Sequence, residues 1–259
     1  MPPPARLARK YQRRERRIAR WRQPLTTRGR RLRAWLSMLL ADHGVLRFVF
    51  PNRHKVSDKL WRSAQPLPRD IAWAAQNGIR TVINLRGGRE FGCWPLEREA
   101  CERHGIRLID MPLHARGVPR VEAIRWAREL FDTIAYPALM HCKSGADRTG
   151  LAAALYLLLH EKRPLGEATA QLHRRFGHLR STATGVLDAF FEAYARDAEA
   201  AAARGAELDF LDWVERIYDP AALRASFVPA SRLTRARMRW QNWRLGLPRA
   251  AQAARRSPD

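Results

Sequence analysis

The sequence predicts an α/β fold: a central, mostly parallel sheet flanked by helices. Three observations lead there. Short apolar runs, Thr81 to Leu85, Ile106 to Met111 and Ala138 to His141, alternate with longer stretches of helical character. Gly78 and Gly105 close two of those stretches, where a helix end takes a left-handed residue. The run ending at His141 passes through a small-residue loop into Thr149 to Glu161, which is apolar nearly throughout and reads as a central helix.

Residues 1–31 are Pro-rich, then Arg-rich. Tyr11 to Trp21 has the composition of a basic helix but no clear apolar stripe, so disorder or conditional helix is expected. Arg33 to Leu40 reads as a short amphipathic helix docking on the domain, whose core is expected from about Val45. Leu60-Trp61-Arg62 is a short strand ended by Ser63-Ala64-Gln65-Pro66. Pro68 to Asn77 is a helix, Gly87-Gly88 turns the chain, and Pro95 to His104 is a helix ended by Gly105. Pro119 to Ala135 opens on a proline, where the missing N–H costs nothing. Beyond Pro164, helices are expected over Leu165 to Phe176, Thr184 to Arg204 and Leu208 to Tyr218. The resulting layout is a basic N-terminal arm (1–44), a catalytic-type domain (45–204) and a helical basic C-terminal extension (205–259).

The 259 residues carry a formal charge of +23, and its distribution matters more than its size. Residues 1–35 hold about 13 Lys and Arg against one acid, Glu15, and residues 222–259 about 9 against Asp259. The middle is close to balanced. Such arms suit an anionic partner: a membrane surface, nucleic acid or a polyanionic substrate. They also suit plain solvated arms. The run Arg235 to Arg249 interleaves Met238, Trp240, Trp243, Leu245 and Leu247 with arginine. That mix favours a membrane interface or docking on the domain ahead of single-stranded nucleic acid.

Three cysteines, Cys93, Cys101 and Cys142, form no disulfide framework and fit a reducing compartment. No secretory h-region stands at the start. Leu32 to Phe50 is broken by Arg33, Asp42, His43 and Arg47, too short and charged to span a bilayer. A cytoplasmic location, with peripheral contact at a membrane, is expected.

The segment His141-Cys142-Lys143-Ser144-Gly145-Ala146-Asp147-Arg148-Thr149-Gly150 carries the chemistry. A strand leads in and an apolar helix leads out, the place where loop amides and a helix N-terminus converge on an anion. Gly145 permits φ > 0, and Gly150 permits close packing at the helix start. Cleaving a phosphate monoester needs a nucleophile, charge stabilisation and a proton for the leaving oxygen. A helix N-terminus and nearby cations bring a cysteine pKa from about 8.5 to roughly 3.5–7.5, so Cys142 can attack as thiolate. Arg148 offers a planar fork for two phosphoryl oxygens, which lysine cannot reproduce. Thr149 can donate its hydroxyl to the sulfur as it departs.

This stretch, His-Cys, five residues, Arg, Ser/Thr and Gly, resembles the signature of the cysteine-dependent protein tyrosine phosphatase superfamily. Trp61 to Pro66 and Gly78 to Arg86 are similar to the compact atypical dual-specificity branch, over roughly residues 45–200. The resemblance implies the three-layer phosphatase fold and a two-step, metal-free and cofactor-free mechanism through a phosphocysteine. Lys143, Ser144, Gly145, Ala146 and Arg148 would cradle the phosphate, with Cys142, Arg148, Asp147 and Thr149 catalytic. The family's usual acid loop falls near His114 to Gly117 and holds no acid. Asp147, as in one subset of bacterial and lipid-directed members, is the favoured general acid, then Asp110, then His114. Lys143 resembles the lysine following the cysteine in phosphoinositide phosphatases.

The substrate stays open among phosphotyrosine or phosphoserine/threonine protein, phosphoinositide lipid and soluble inositol phosphate, with the basic arms and Lys143 tilting the reading toward very anionic or membrane-borne substrates. A non-catalytic phosphate-recognition module and a nucleic-acid-binding protein carrying a phosphatase domain remain alternatives; Arg148-Thr149 argues against a sulfur transferase. Arg86, Arg89 and Arg116 lie on loops where they could add positive charge near the site, Arg116 being the one favoured. His173, His178 and Arg180 read as structural more than as pocket rim. Cys93 and Cys101 read as packers, with a reversible disulfide to Cys142 as the alternative.

Overall fold

The structure, a computed structural model, describes residues 5–87 and 89–244. The described chain forms two compact units, residues 1–112 with 134–145, and residues 113–133 with the remainder from Ala146. The expected Gly88 half of the turn, and Leu245 and Leu247 of the C-terminal run, lie outside the described residues.

The first unit holds the sheet. Its strands are β1 (His54–Lys55), β2 (Leu60–Ser63), β3 (Thr81–Asn84), β4 (Arg107–Asp110) and β5 (Ala138–His141). Their spatial order is β1-β2-β5-β3-β4; only the β1–β2 pair is antiparallel. The mostly parallel α/β sheet is the one the alternating pattern predicts. β5 lies at its centre and is buried at all four positions, which is why its sequence is apolar without alternation. His141 stands level with Ser63 of β2 and Asn84 of β3. The chain therefore leaves β5 for Cys142 at the carboxyl ends of parallel strands, where open α/β sheets bind ligands.

Five helices belong to this unit: α1 (Ala5–Arg22), α2 (Arg28–Leu36), α3 (Val45–Val49), α4 (Pro68–Gln76) and α5 (Cys93–Arg103). A π turn, Ser37–Ala41, prolongs α2. Ile71 and Ala74 of α4 and Ala100 and Cys101 of α5 share one core with Val82 and Leu139 of the sheet. A second core joins Trp21, Leu25, Ala34 and Met38 to Leu67, Cys93 and Leu96. The N-terminal stretch is thus helical and anchored: of the disorder or conditional helix expected over Tyr11 to Trp21, the helix is what forms, and the segment from Arg33 to Leu40 docks as expected. Few of its side chains face inward, but those that do are large: Trp21 is buried, and its Nε1 donates to the Glu90 carbonyl at 3.1 Å. Burying a side chain of this size is worth about 1.5–3 kcal/mol, enough to overrule a weak stripe. Arg14 and Arg17 both pair with Glu90.

The second unit holds α6 (Val121–Thr133), α7 (Asp147–Leu159), α8 (Leu165–Thr169), α9 (Val186–Ala202), α10 (Phe210–Arg216), α11 (Pro220–Ser226) and α12 (Arg232–Arg244). α7 is buried from Thr149 to Leu159, as its uniform apolarity requires. The helix expected over Leu165 to Phe176 stops at Thr169; a 3-10 turn, Arg174–Phe176, follows. Phe190, Phe191, Phe210, Trp213 and Tyr218 form an aromatic cluster joining α9 to α10. The Tyr218 hydroxyl donates to the Pro119 carbonyl at 2.8 Å, so the segment after residue 205 is built into this unit.

Candidate active site

The loop after β5 is held by its carbonyls. The Gln65 amide donates to the Lys143 carbonyl at 3.3 Å, the Asn52 side-chain amide to that of Ser144 at 2.8 Å, and Arg62 to that of Gly145 at 2.7 Å. With three successive carbonyls pinned, the amides of Lys143, Ser144 and Gly145 donate to no described residue. Consecutive unpaired amides in a tight turn form an anion-binding concavity. Gly145 has φ +73°, and a Cβ there would stand 2.8 Å from the Ala64 nitrogen and the Ser63 carbonyl carbon, so both the backbone angle and the space exclude a side chain. At Gly150 a Cβ would meet the Gln171 carbonyl at 2.8 Å, the close packing expected of it.

Beneath the loop runs a buried polar chain. Arg86 donates to Gln65 at 2.9 Å, Gln65 to Glu97 at 2.8 Å, and Glu97 meets His141 Nε2 at 2.6 Å, with both partners fully buried. His141 precedes Cys142, whose side chain is buried. Arg86 also makes two bonds to Asp42, at 2.7 and 2.8 Å. Asp42 has no solvent exposure, pairs with Arg47 as well, and lies 3.4 Å from the Lys143 ammonium. Burial works against the charge of Asp42, but the hydrogen bonds and charges of Arg86 and Arg47 outweigh it and lower its pKa to about 2. Arg86 is therefore a strut within the fold, not an added charge for ligand, and Arg89 is likewise spent on Asp110.

In the second unit, Arg148 is half-buried and makes no ion pair or hydrogen bond with any described residue. Asp147 accepts from His178 through one oxygen, Oδ1, at 2.7 Å, and its Oδ2 has no partner among the described residues. The other ring nitrogen of His178 lies 2.8 Å from Asp188. Burial opposes charging this imidazole, but the two carboxylates prevail and raise its pKa to about 9. Thr149 is buried, and its hydroxyl has no hydrogen-bond partner among the described residues. Ala146 is buried and Ser144 exposed.

The other acid candidates sit differently. Asp110 accepts from Asn84, Arg89 and Trp94, which occupy both its oxygens. His114 is exposed, and Arg116 lines a small cleft with Val118, Arg224 and Phe227. Burial pushes the Cys93 thiol up to about 12, against the pull of Arg86, and Cys101 higher still. Neither offers a ready thiolate, so their reading as packers is the better one. Asp42 and Glu97 escaped sequence reasoning, since Arg86 and His141 each lie 44 positions further along the chain; His178, read from sequence as structural, pairs with Asp147, a contact that the sequence does not announce.

A family model described as DSP-PTPase phosphatase fused to NAD+ kinase matches residues 51–184, just over half of the chain. The chain belongs to this DSP-PTPase family. The matched residues take in the sheet, the Cys142 loop, α7 and His178. Among characterised relatives of this DSP-PTPase chain is the dual specificity protein phosphatase TpbA of Pseudomonas aeruginosa, in two strains, 30% identical over 109 residues. The alignment covers 42% of this chain and 47% of TpbA, so the chain spans about half the length of the curated relatives it matches. Among solved structures, P. aeruginosa TpbA aligns with TM-score 0.46 and 26% identity, over 62% of this chain and 88% of its own. A Cys-to-Ser TpbA in complex with pTyr aligns at 0.44 and 27%, over 65% and 92%.

Proposed function

We propose that this DSP-PTPase chain hydrolyses phosphate monoesters through a phosphocysteine on Cys142. One observation carries the reading: an intact Cys142-to-Arg148 loop whose amides at 143–145, and whose guanidinium at Arg148, have no partner among the described residues. Unpaired donors at a strand–loop–helix junction call for an anion. Cys142 attacks phosphorus as thiolate, the bond to the leaving oxygen breaks, and Asp147 supplies that oxygen's proton. Water then attacks the phosphocysteine, Asp147 takes its proton, and the sulfur leaves with the Thr149 hydroxyl as donor. Lys143, Ser144, Gly145, Ala146 and Arg148 hold the phosphoryl oxygens. Asp147 is preferred to Asp110 because it keeps an oxygen free, while Asp110 has both engaged.

Phosphorylated protein is the favoured substrate, by the name of the 30%-identical relative; phosphoinositides and inositol phosphates are the second reading, favoured by Lys143. The catalytic segment is taken as 45–204, which encloses the family match, in a protein acting in the cytoplasm. The test is phosphate release, without added metal, from phosphopeptide, phosphoinositide and inositol-phosphate panels. Release from phosphopeptides that vanishes in Cys142→Ser supports the reading; tight vanadate binding with no release from any panel replaces it with a phosphate-recognition module.

A further inference from the structure

α2 and the turn after it are apolar on two faces. Ala34 and Met38 face the core and are buried. Leu32, Leu36 and Leu40, at i, i+4 and i+8, are 61%, 45% and 68% exposed. On α3 and just beyond, Leu46, Val49 and Phe50 are each more than 70% exposed. With Val45 and Phe48, eight large apolar side chains thus meet solvent within 19 residues, where an apolar helix face is normally covered. Exposed arginines stand in the same N-terminal stretch of the chain. Arg28 and Arg33 on α2, and Arg13, Arg16 and Arg20 on α1, make no ion pair with any described residue.

We infer that this surface, Leu32 to Phe50 with the arginines of α1 and α2, seats on an anionic lipid bilayer. Charge complementarity selects the occupant. Before Phe50 the chain has only two acids: Glu15, and Asp42, which is buried and spent on Arg47 and Arg86. A second copy on this face would therefore bring arginine against arginine with no acid to match. Nucleic acid would satisfy the arginines but leave six aliphatic side chains in water, since bases stack on aromatic rings and not on leucine or valine. Aliphatic residues interspersed with arginine are what the boundary between anionic headgroups and acyl chains accepts. No helix among the described residues is long and apolar enough to cross a membrane, so the contact is one of lying on the surface. The surface comes from a different part of the chain than the Cys142 loop, and the inference stands apart from the phosphatase reading.

The experiment is co-sedimentation of the full chain with vesicles of phosphatidylcholine alone or mixed with phosphatidylglycerol. Wild type is expected on the mixed vesicles and not on the neutral ones. Leu36→Glu/Leu40→Glu/Val49→Glu should weaken that binding about tenfold or more, and Ile217→Glu, an exposed residue of the other unit, should not. A second readout does not depend on the triple variant folding: Leu40→Cys carrying a polarity-sensitive dye, the native cysteines being buried, should shift blue on mixed vesicles. Absence of wild-type binding, binding by the triple variant equal to wild type, or an unshifted dye overturns the proposal. So does a wild-type dimer, seen by sedimentation velocity, that the triple variant breaks.

Discussion

His178 Nδ1 lies 2.7 Å from Asp147 Oδ1, and its other nitrogen is 2.8 Å from Asp188. The bonds fix which way the Asp147 carboxyl turns and leave Oδ2 without a partner among the described residues. If Asp147 gives the leaving oxygen its proton, His178 is its positioning residue. His178→Asn should then lower kcat on an alkyl phosphate by about 10²-fold with little change in KM. It should do less on an aryl phosphate, whose leaving group needs no proton. Equal losses on both would assign His178 to the fold alone. Asp147→Asn with near-normal turnover on the alkyl ester would remove Asp147 as acid.

The same pairing makes stability depend on pH. The folded pKa of His178, about 9, lies above its ordinary 6.5. Its contribution is therefore whole below about pH 6.5 and is lost as pH rises through about 9. The Tm gap between wild type and His178→Asn should be wide near pH 6 and narrow near pH 10, both about. A gap that widens toward alkaline pH would contradict the pairing.

Asp42 behaves in the opposite sense. Its pKa of about 2 lies below the ordinary 3.8, so its contribution is whole above 3.8 and is lost as pH falls through about 2. Asp42→Ala leaves Arg86 and Arg47 buried without their acid, a change that costs about 3–5 kcal/mol. Urea unfolding near neutral pH reads this directly. A loss under about 1 kcal/mol would mean the cluster is solvated like a surface pair.

Gly145→Ala should fold with reduced stability and lose affinity for vanadate, because the added Cβ collides with the backbone at Ser63 and Ala64 and the φ of +73° is strained for alanine. Isothermal titration checks it; wild-type affinity would show that the loop need not hold this shape to bind an anion.

β5 was legible to the residue, Ala138 to His141, because a central parallel strand is buried on both faces and its sequence says so. The Cys142 loop was legible because its chemistry is local: seven consecutive residues carry nucleophile, turn and clamp. Asp42, Glu97 and His178 were not, since their roles come from pairs 44 residues apart for Asp42–Arg86 and Glu97–His141, and 31 apart for Asp147–His178. A buried polar residue looks like a surface one until its partner is placed. The N-terminal stretch was legible in part: Arg33 to Leu40 read as a docking helix, while the firm helix over Ala5–Arg22 did not stand out. Trp21 and Leu25 are too sparse among arginines to make a stripe, yet with Ala34 and Met38 they close a core with Leu67, Cys93 and Leu96.

The most direct measurement is single-turnover phosphate release from a phosphotyrosyl peptide by wild type, Arg148→Lys and Cys142→Ser, with acid-quenched protein examined by mass spectrometry for phosphate on Cys142. The account predicts a transient phosphocysteine in wild type, a loss of about 10²-fold or more in Arg148→Lys, and no turnover in Cys142→Ser. Turnover that survives in Cys142→Ser would contradict it.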